Sequence, residues 1–169
     1  MSCVLIGGGS RSGKSRFALE YARRYTLPLA FIATAETRDE EMRERAAAHR
    51  ADRGAEFTTF EEPLDPSRVI AEAGDRFGSI VIDCLTLWLS NLMLADVPDI
   101  SRRAADLLRV GAESPSTVVL VTNEVGCGIV PENALARRFR DLAGSLNQQA
   151  AAGAHEVYWM AFGLPMRIK

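Results

Sequence analysis

The residues with the plainest chemical capacity lie near the start of the chain. Gly8-Gly9-Ser10-Arg11-Ser12-Gly13-Lys14-Ser15 fills every position of the pattern G-x-x-x-x-G-K-S. Glycines let a backbone fold tightly with its N–H groups pointing inward, so this loop suits phosphate oxygens. Lys14 is expected to reach the β and γ phosphates, and the Ser15 hydroxyl to ligate Mg²⁺. Arg11 places one more cation inside the loop. A glycine-rich turn that binds nothing is the bland alternative, and the full motif between a strand and a helix counts against it.

Asp83 is the second candidate, because it ends the apolar run Ile80-Val81-Ile82. Phosphate-loop proteins commonly hold Mg²⁺ through an acidic residue at a buried strand end. An aspartate just before the Leu85 segment is also a good helix N-cap. The phosphate loop in the same chain favours the metal-linked role.

His49 is the third candidate. Arg45 lies at i−4 and Arg53 at i+4, with Arg50 and Asp52 close by. Residues at that spacing share a helix face. Fixed positive charge repels a metal ion but neutralises phosphate oxygens, which suits a neutral imidazole attacking phosphorus. A solvated helix face with an incidental histidine explains the same residues, and the residues alone leave both readings open. His155, before the Glu156 strand, reads as a surface residue.

These groups need a scaffold, and the chain alternates apolar runs with helical patterns. Strands are expected at Cys3–Ile6, Leu29–Thr34, Phe57–Phe60, Ser79–Asp83, Thr117–Thr122 and Glu156–Phe162. Helices are expected over Ser15–Tyr25, Asp39 to about Arg53, Asp65 to Gly74, Leu85–Leu94, Ile100–Ala112 and Glu132–Ala152. The 39–53 segment has capping-box spacing at its start and little apolar stripe, so it is expected to move against the core or pack at a subunit interface. Near-continuous apolar strands alternating with helices mean an α/β fold of the P-loop NTPase type, a mainly parallel sheet with helices on both faces. The strand ends of such a sheet gather at one edge, which brings Asp83 towards Lys14 and Ser15.

With 169 residues and no convincing linker, one domain over 1–169 is expected. The net charge of −2 gives no basic footprint for nucleic acid. Cys3, Cys84 and Cys127 are scattered and odd in number, which fits neither a disulfide framework nor a zinc site. No apolar run approaches the ~20 residues of a membrane span, and no secretory leader pattern is present, so a cytoplasmic protein is expected.

The assembled residues resemble the bifunctional adenosylcobinamide kinase / adenosylcobinamide-phosphate guanylyltransferase family of cobalamin biosynthesis. The likeness runs through the Gly8–Arg16 loop, Ile32-Ala33-Thr34-Ala35, Asp39-Glu40-Glu41-Met42 and Arg45-Ala46-Ala47-Ala48-His49-Arg50. Its most specific stretch is Val121-Thr122-Asn123-Glu124-Val125-Gly126-Cys127-Gly128-Ile129-Val130-Pro131-Glu132-Asn133, leading into Ala136–Gly144 and Asn147-Gln148. Departures are Ser10 for the usual alanine, Cys127 between two glycines, and Ala48 before the histidine.

The resemblance implies two reactions: phosphorylation of adenosylcobinamide by ATP or GTP with Mg²⁺, then transfer of GMP from GTP through a guanylylated histidine. By that resemblance His49 is the nucleophile. Nucleotide contacts fall on Gly8–Ser15, on Ala33, Thr34 and Ala35, on Arg50, Ala51, Asp52 and Arg53, on Glu61 or Glu62, and on Asp83. It further implies a corrinoid partner and a homo-oligomer. A kinase with an idle His49 shares all the other features. A guanine-reading switch is disfavoured, because Thr122-Asn123-Glu124-Val125 lacks its N-K-x-D signature. A RecA-like motor would want a basic track, which the charge does not supply.

Overall fold

In the computed structural model, which describes residues 2–36 and 53–169, every apolar run expected as a strand joins one sheet. The described elements are β1 (Cys3–Gly8), α1 (Lys14–Ala22), β2 (Leu29–Ala33), β3 (Phe57–Glu61), α2 (Pro66–Ala73), β4 (Ser79–Asp83), α3 (Leu85–Leu94), α4 (Ile100–Glu113), β5 (Thr117–Val121), α5 (Ala134–Gly153), β6 (Glu156–Ala161) and β7 (Leu164–Arg167). The strand order is β3-β2-β4-β5-β1-β6-β7. All pairings are parallel except β6 with β7. The expected 39–53 helix lies outside the described residues apart from Arg53.

The direction of chain travel explains where the helices sit. From β1 to β2 the chain moves one way along the sheet, and from β3 onward it moves the other way. Right-handed crossovers then place α1 on one face and α2 to α5 on the other. The packing agrees. Val4, Ile6, Phe31, Val81, Val119 and Val121 pack with Phe17, Ala18 and Tyr21 of α1. Their strand neighbours Leu5, Ile32, Ile80, Ile82 and Leu120 pack with Ile70, Trp88, Leu107 and Leu146 on the opposite face. Strands buried on both faces have no polar side, which is why they read as continuous apolar runs.

Several element ends differ from expectation by a few residues, because backbone geometry decides them. Helix α1 begins at Lys14, with Gly13 at φ 92° as its N-cap, and ends at Ala22 in a turn through Tyr25. Helix α5 begins at Ala134, where the Asn133 side chain accepts the Ala136 N–H. Helix α2 starts after Asp65, whose carboxylate caps the Arg68 N–H, with Pro66 in the first turn.

Strand β7 has no counterpart in the sequence reading. It is a short edge strand, solvent-exposed throughout, so alternation of apolar and polar residues gives it no signature. Phe162 and Gly163, both at positive φ, form the two-residue turn between β6 and β7.

Ile82 is fully buried between the layers. Ile82→Ala is expected to cost about 2–5 kcal/mol, against about 0.5–1.5 kcal/mol for Ile82→Val. Urea unfolding should show this as a lower midpoint with an unchanged slope.

Candidate functional site

Parallel register gathers the candidate groups at one edge. Ala33 pairs with Glu61 on one side and Asp83 on the other, Asp83 pairs with Val121, and Val121 pairs with Ile6. These residues form one row across the carboxyl ends of five strands. Side chains in such a row share a face. Ile6, Ala33 and Val121 pack on the α1 side, so Asp83 faces the side on which Lys14 opens its helix.

The phosphate loop spans Gly8 to Ser15 directly beyond β1. Gly8 has φ 153°, and a β-carbon there would lie 2.8 Å from the Met160 carbonyl and 2.9 Å from Ser12 Oγ. Only glycine fits between the loop and β6. Gly13 at φ 92° turns the chain into α1, and the β6–β7 turn closes on it, with Gly163 Cα 3.4 Å from where a Gly13 β-carbon would be. Arg11 is exposed at φ 54°, and Ser10 is exposed beside it.

Lys14 is 7% exposed, and its ammonium spans the loop, donating to the Gly9 carbonyl and to Ser12 Oγ at 3.3 Å. Burial lowers its pKa from the ordinary lysine value, while Cys84 and Asp83 oppose that shift. Ser15 follows within the first turn of α1, where N–H groups unpaired by the helix point at the loop.

Asp83 does not cap the next helix. The N-cap of α3 is Cys84, and no side chain caps it. What fixes the chain after Asp83 is Thr34. Its buried hydroxyl accepts the Cys84 N–H at 2.7 Å and donates to the Cys84 carbonyl at 2.9 Å. The Thr34 N–H donates to the Asp83 carbonyl at 3.1 Å. Asn91, buried in α3, donates to the Thr34 carbonyl at 2.7 Å and to the Pro63 carbonyl at 3.1 Å. Beyond β5, Asn123 donates to Thr86 Oγ1 at 2.8 Å, and Asn147 of α5 donates to the Asn123 carbonyl at 3.2 Å. Thr122 closes the chain onto Asn147 Oδ1 at 2.6 Å.

Thr86, Asn91 and Asn147 were absent from the sequence-based site. Asn91 carries the one usable signal, an amide inside the apolar stretch Leu85–Leu94. A buried amide demands partners.

The acidic pair at the end of β3 divides. Glu62 Oε1 accepts the Leu64 and Asp65 N–H groups at 3.2 and 3.0 Å, and its Oε2 meets Arg68 Nη2 at 2.7 Å. Burial alone would raise its pKa, but these bonds outweigh burial and hold the carboxyl below its ordinary range. Glu62 therefore anchors the start of α2. Glu61 is exposed in the register row. It stands four strand steps from β1, about 19 Å at ordinary strand spacing, so Glu61 and Lys14 cannot share one phosphate group.

Arg53 is buried, with its guanidinium 4.1 Å from the Phe31 ring centroid on the α1 face. Arg23 Nη2 donates to its carbonyl at 3.0 Å. His49, Arg45, Arg50, Ala51 and Asp52 lie outside the described residues. His155 is exposed as expected, its Nδ1 accepting the Cys3 N–H at 3.2 Å.

Among the described residues no three of His, Cys, Asp and Glu cluster as a metal site, and no helix is long and apolar enough to cross a membrane.

Comparison with known proteins agrees with this architecture. Residues 4–168 match the family described as "Cobinamide kinase / cobinamide phosphate guanyltransferase". The chain is 44% identical over 168 residues to the "Bifunctional adenosylcobalamin biosynthesis protein CobP" of Pseudomonas aeruginosa, covering 98% of this chain and 96% of that one. It is 39% identical to the "Bifunctional adenosylcobalamin biosynthesis protein CobU" of Salmonella typhimurium, covering 98% and 99%. Among solved structures, a prototypical ATPase of a bacterial type III secretion system matches with TM-score 0.58 and 13% identity, over 98% of this chain and 56% of that one. A second solved ATPase domain matches with TM-score 0.52 and 13% identity, over 94% and 68%. At such identities the likeness is one of fold, a phosphate-loop ATPase sheet.

Thr34→Val keeps the shape but leaves the buried Cys84 N–H without its acceptor and the Cys84 carbonyl with only the Trp88 N–H. It is expected to lower stability by about 1–3 kcal/mol. By shifting Asp83, it should also reduce nucleotide-dependent turnover by roughly 100-fold. Thr34→Ser should restore both, as read by urea unfolding and steady-state rates.

Proposed function

The chain belongs to the cobinamide kinase / cobinamide phosphate guanyltransferase family, and on that premise we propose that it performs both reactions of that family at one phosphate site. The observation that supports this most directly is the complete phosphate loop standing in register beside Asp83, within a family match that spans residues 4–168. In the first reaction ATP or GTP phosphorylates the aminopropanol hydroxyl of adenosylcobinamide. In the second, GTP gives GMP to His49 with release of pyrophosphate. The GMP then passes to adenosylcobinamide phosphate, yielding adenosylcobinamide-GDP.

Each described residue has a role consistent with its place. The Gly8–Ser15 backbone cradles the phosphates, and Lys14 swings from its contacts with Gly9 and Ser12 to the β and γ oxygens. A buried ammonium is electrostatically stronger than one in water, so Lys14 acts on developing phosphate charge with little screening. Ser15 and Asp83 offer two hard oxygen donors. That set fits Mg²⁺, which binds few protein oxygens and keeps phosphates and water for the rest. When bound there, the ion would neutralise charge on the transferring and leaving phosphates.

Ala33, Thr34, Ala35 and Glu61 border the nucleotide from the β2 and β3 ends, and Arg50, Ala51, Asp52 and Arg53, which follow His49 in the sequence, are read as further nucleotide contacts. Splitting nucleotidyl transfer into two displacements lets one nucleotide site serve both steps. We further read 1–169 as one domain that assembles as a homo-oligomer in the cytoplasm, with no nucleic-acid partner.

Incubation with Mg²⁺ and GTP labelled at the α-phosphate, quenched in alkali, is expected to leave covalent GMP on the peptide bearing His49. His49→Ala should lose it. No label with intact GTP binding would select a kinase that lacks the covalent step. Lys14→Ala and Asp83→Asn are each expected to slow phosphorylation and guanylylation by roughly 10²–10³-fold.

A further inference from the structure

The segment from Glu124 to Glu132 has no role in the site described above, yet it starts beside the phosphate loop. Strands β5 and β1 are neighbours whose following helices lie on opposite faces of the sheet. Ligands in open α/β sheets bind in the crevice beyond such a pair. The chain leaving β5 follows the end of β1. The Thr122 N–H donates to the Ile6 carbonyl at 3.0 Å, and the Glu124 N–H donates to the Gly8 carbonyl at 3.1 Å. Glu124 is thus tied to the first glycine of the loop, one strand step from β1. Glu36, beyond β2, stands three strand steps off.

The Glu124 carboxylate is held in place. Oε1 accepts the Gly126 N–H, and the Gly126 carbonyl accepts from Arg140 Nη2 at 2.7 Å. Oε2 makes no hydrogen bond or ion pair among the described residues. The next residues present apolar groups to water. Ile129 is 97% exposed and Val130 62%, with Val125 also exposed. The loop around them is pinned, since Arg137 Nη1 donates to the Pro131 carbonyl at 2.9 Å and to the Glu132 carbonyl. Apolar side chains exposed on a loop whose two ends are pinned, and which starts at the Gly8 contact, mark a binding surface.

The geometry points to this loop as the acceptor site of the kinase reaction, with Glu124 as its proton acceptor and Val125, Ile129 and Val130 as the seat for the apolar body of the corrinoid. This rests on the kinase reading above. The acceptor hydroxyl oxygen bonds to the γ-phosphorus while the bond from that phosphorus to the bridging oxygen breaks. The nucleoside diphosphate leaves with the electron pair, and the hydroxyl proton passes to Glu124 Oε2. The occupant is argued from position. A group reacting at the γ-phosphate must stand outside the loop, and the chain carrying this patch runs on directly from the Glu124–Gly8 contact.

The test uses the full chain with adenosylcobinamide and Mg·GTP. Glu124→Gln keeps an oxygen for the Gly126 N–H and loses only basicity. It is expected to slow single-turnover phosphorylation by about 100-fold or more, with GTP dissociation unchanged. Ile129→Ser combined with Val130→Ser should raise KM for adenosylcobinamide by about tenfold and leave the single-turnover rate at saturation unchanged. An unchanged rate in Glu124→Gln, or a loss of GTP binding in step with the rate, overturns the proton-acceptor role. An unchanged acceptor KM in the serine pair, with a smaller assembly in sedimentation, would assign the patch to a subunit contact and overturn the platform. A wild-type chain that phosphorylates no corrinoid overturns the kinase reading itself, and this proposal with it.

Discussion

A parallel sheet brings all its carboxyl ends to one edge, and there the ladder hydrogen bonds stop. The last N–H and C=O groups are still buried, so something must pair them. In this protein the segments leaving the strands pair some of them through their own backbone, and side chains pair others. Thr34 bridges both backbone groups of Cys84, Asn91 ties β2 to the segment after β3, and Asn147 holds the segment after β5. The rest of the site depends on this pairing. Asp83 and the phosphate loop occupy defined places because the strand ends beneath them have no slack. Such an edge also keeps the Lys14 ammonium buried, where charge is screened less than in water.

The large features were legible because they follow from burial and periodicity. Strands covered on both faces must be apolar throughout, so β1, β2, β4 and β5 stood out, and the direction of each crossover then decided which face each helix covers. The phosphate loop was legible because few residue types can adopt its backbone. Gly8 and Gly13 are required by close approach and positive φ.

Other features left no trace in a one-dimensional pattern. Thr34, Thr86 and Asn147 look like ordinary polar residues, and only the fold reveals their partners far away in the chain: the Cys84 backbone for Thr34, the Asn123 side chain for Thr86 and the Asn123 carbonyl for Asn147. Glu61 and Glu62 are adjacent and chemically alike, yet one anchors α2 and the other lies in the register row. Strand β7 escaped notice because an exposed edge strand obeys no burial rule. Asp83 was ambiguous between helix cap and site residue, and the structure gives the N-cap position to Cys84.

The pairing of β1 has a consequence for the order in which the protein can be completed. Cys3 pairs with Val118, and Val4 pairs with Glu156. The strands that flank the phosphate loop leave the ribosome well after it, β5 about 110 residues later and β6, with the turn that closes on Gly13, about 150. At cellular elongation rates of ~5–20 residues per second, the longer delay is roughly 8–30 s. During that interval the loop has glycines but no walls, so it cannot recognise a nucleotide. Nucleotide binding is therefore a late event in the life of each new chain, and it reports that β5 and β6 have closed on either side of β1.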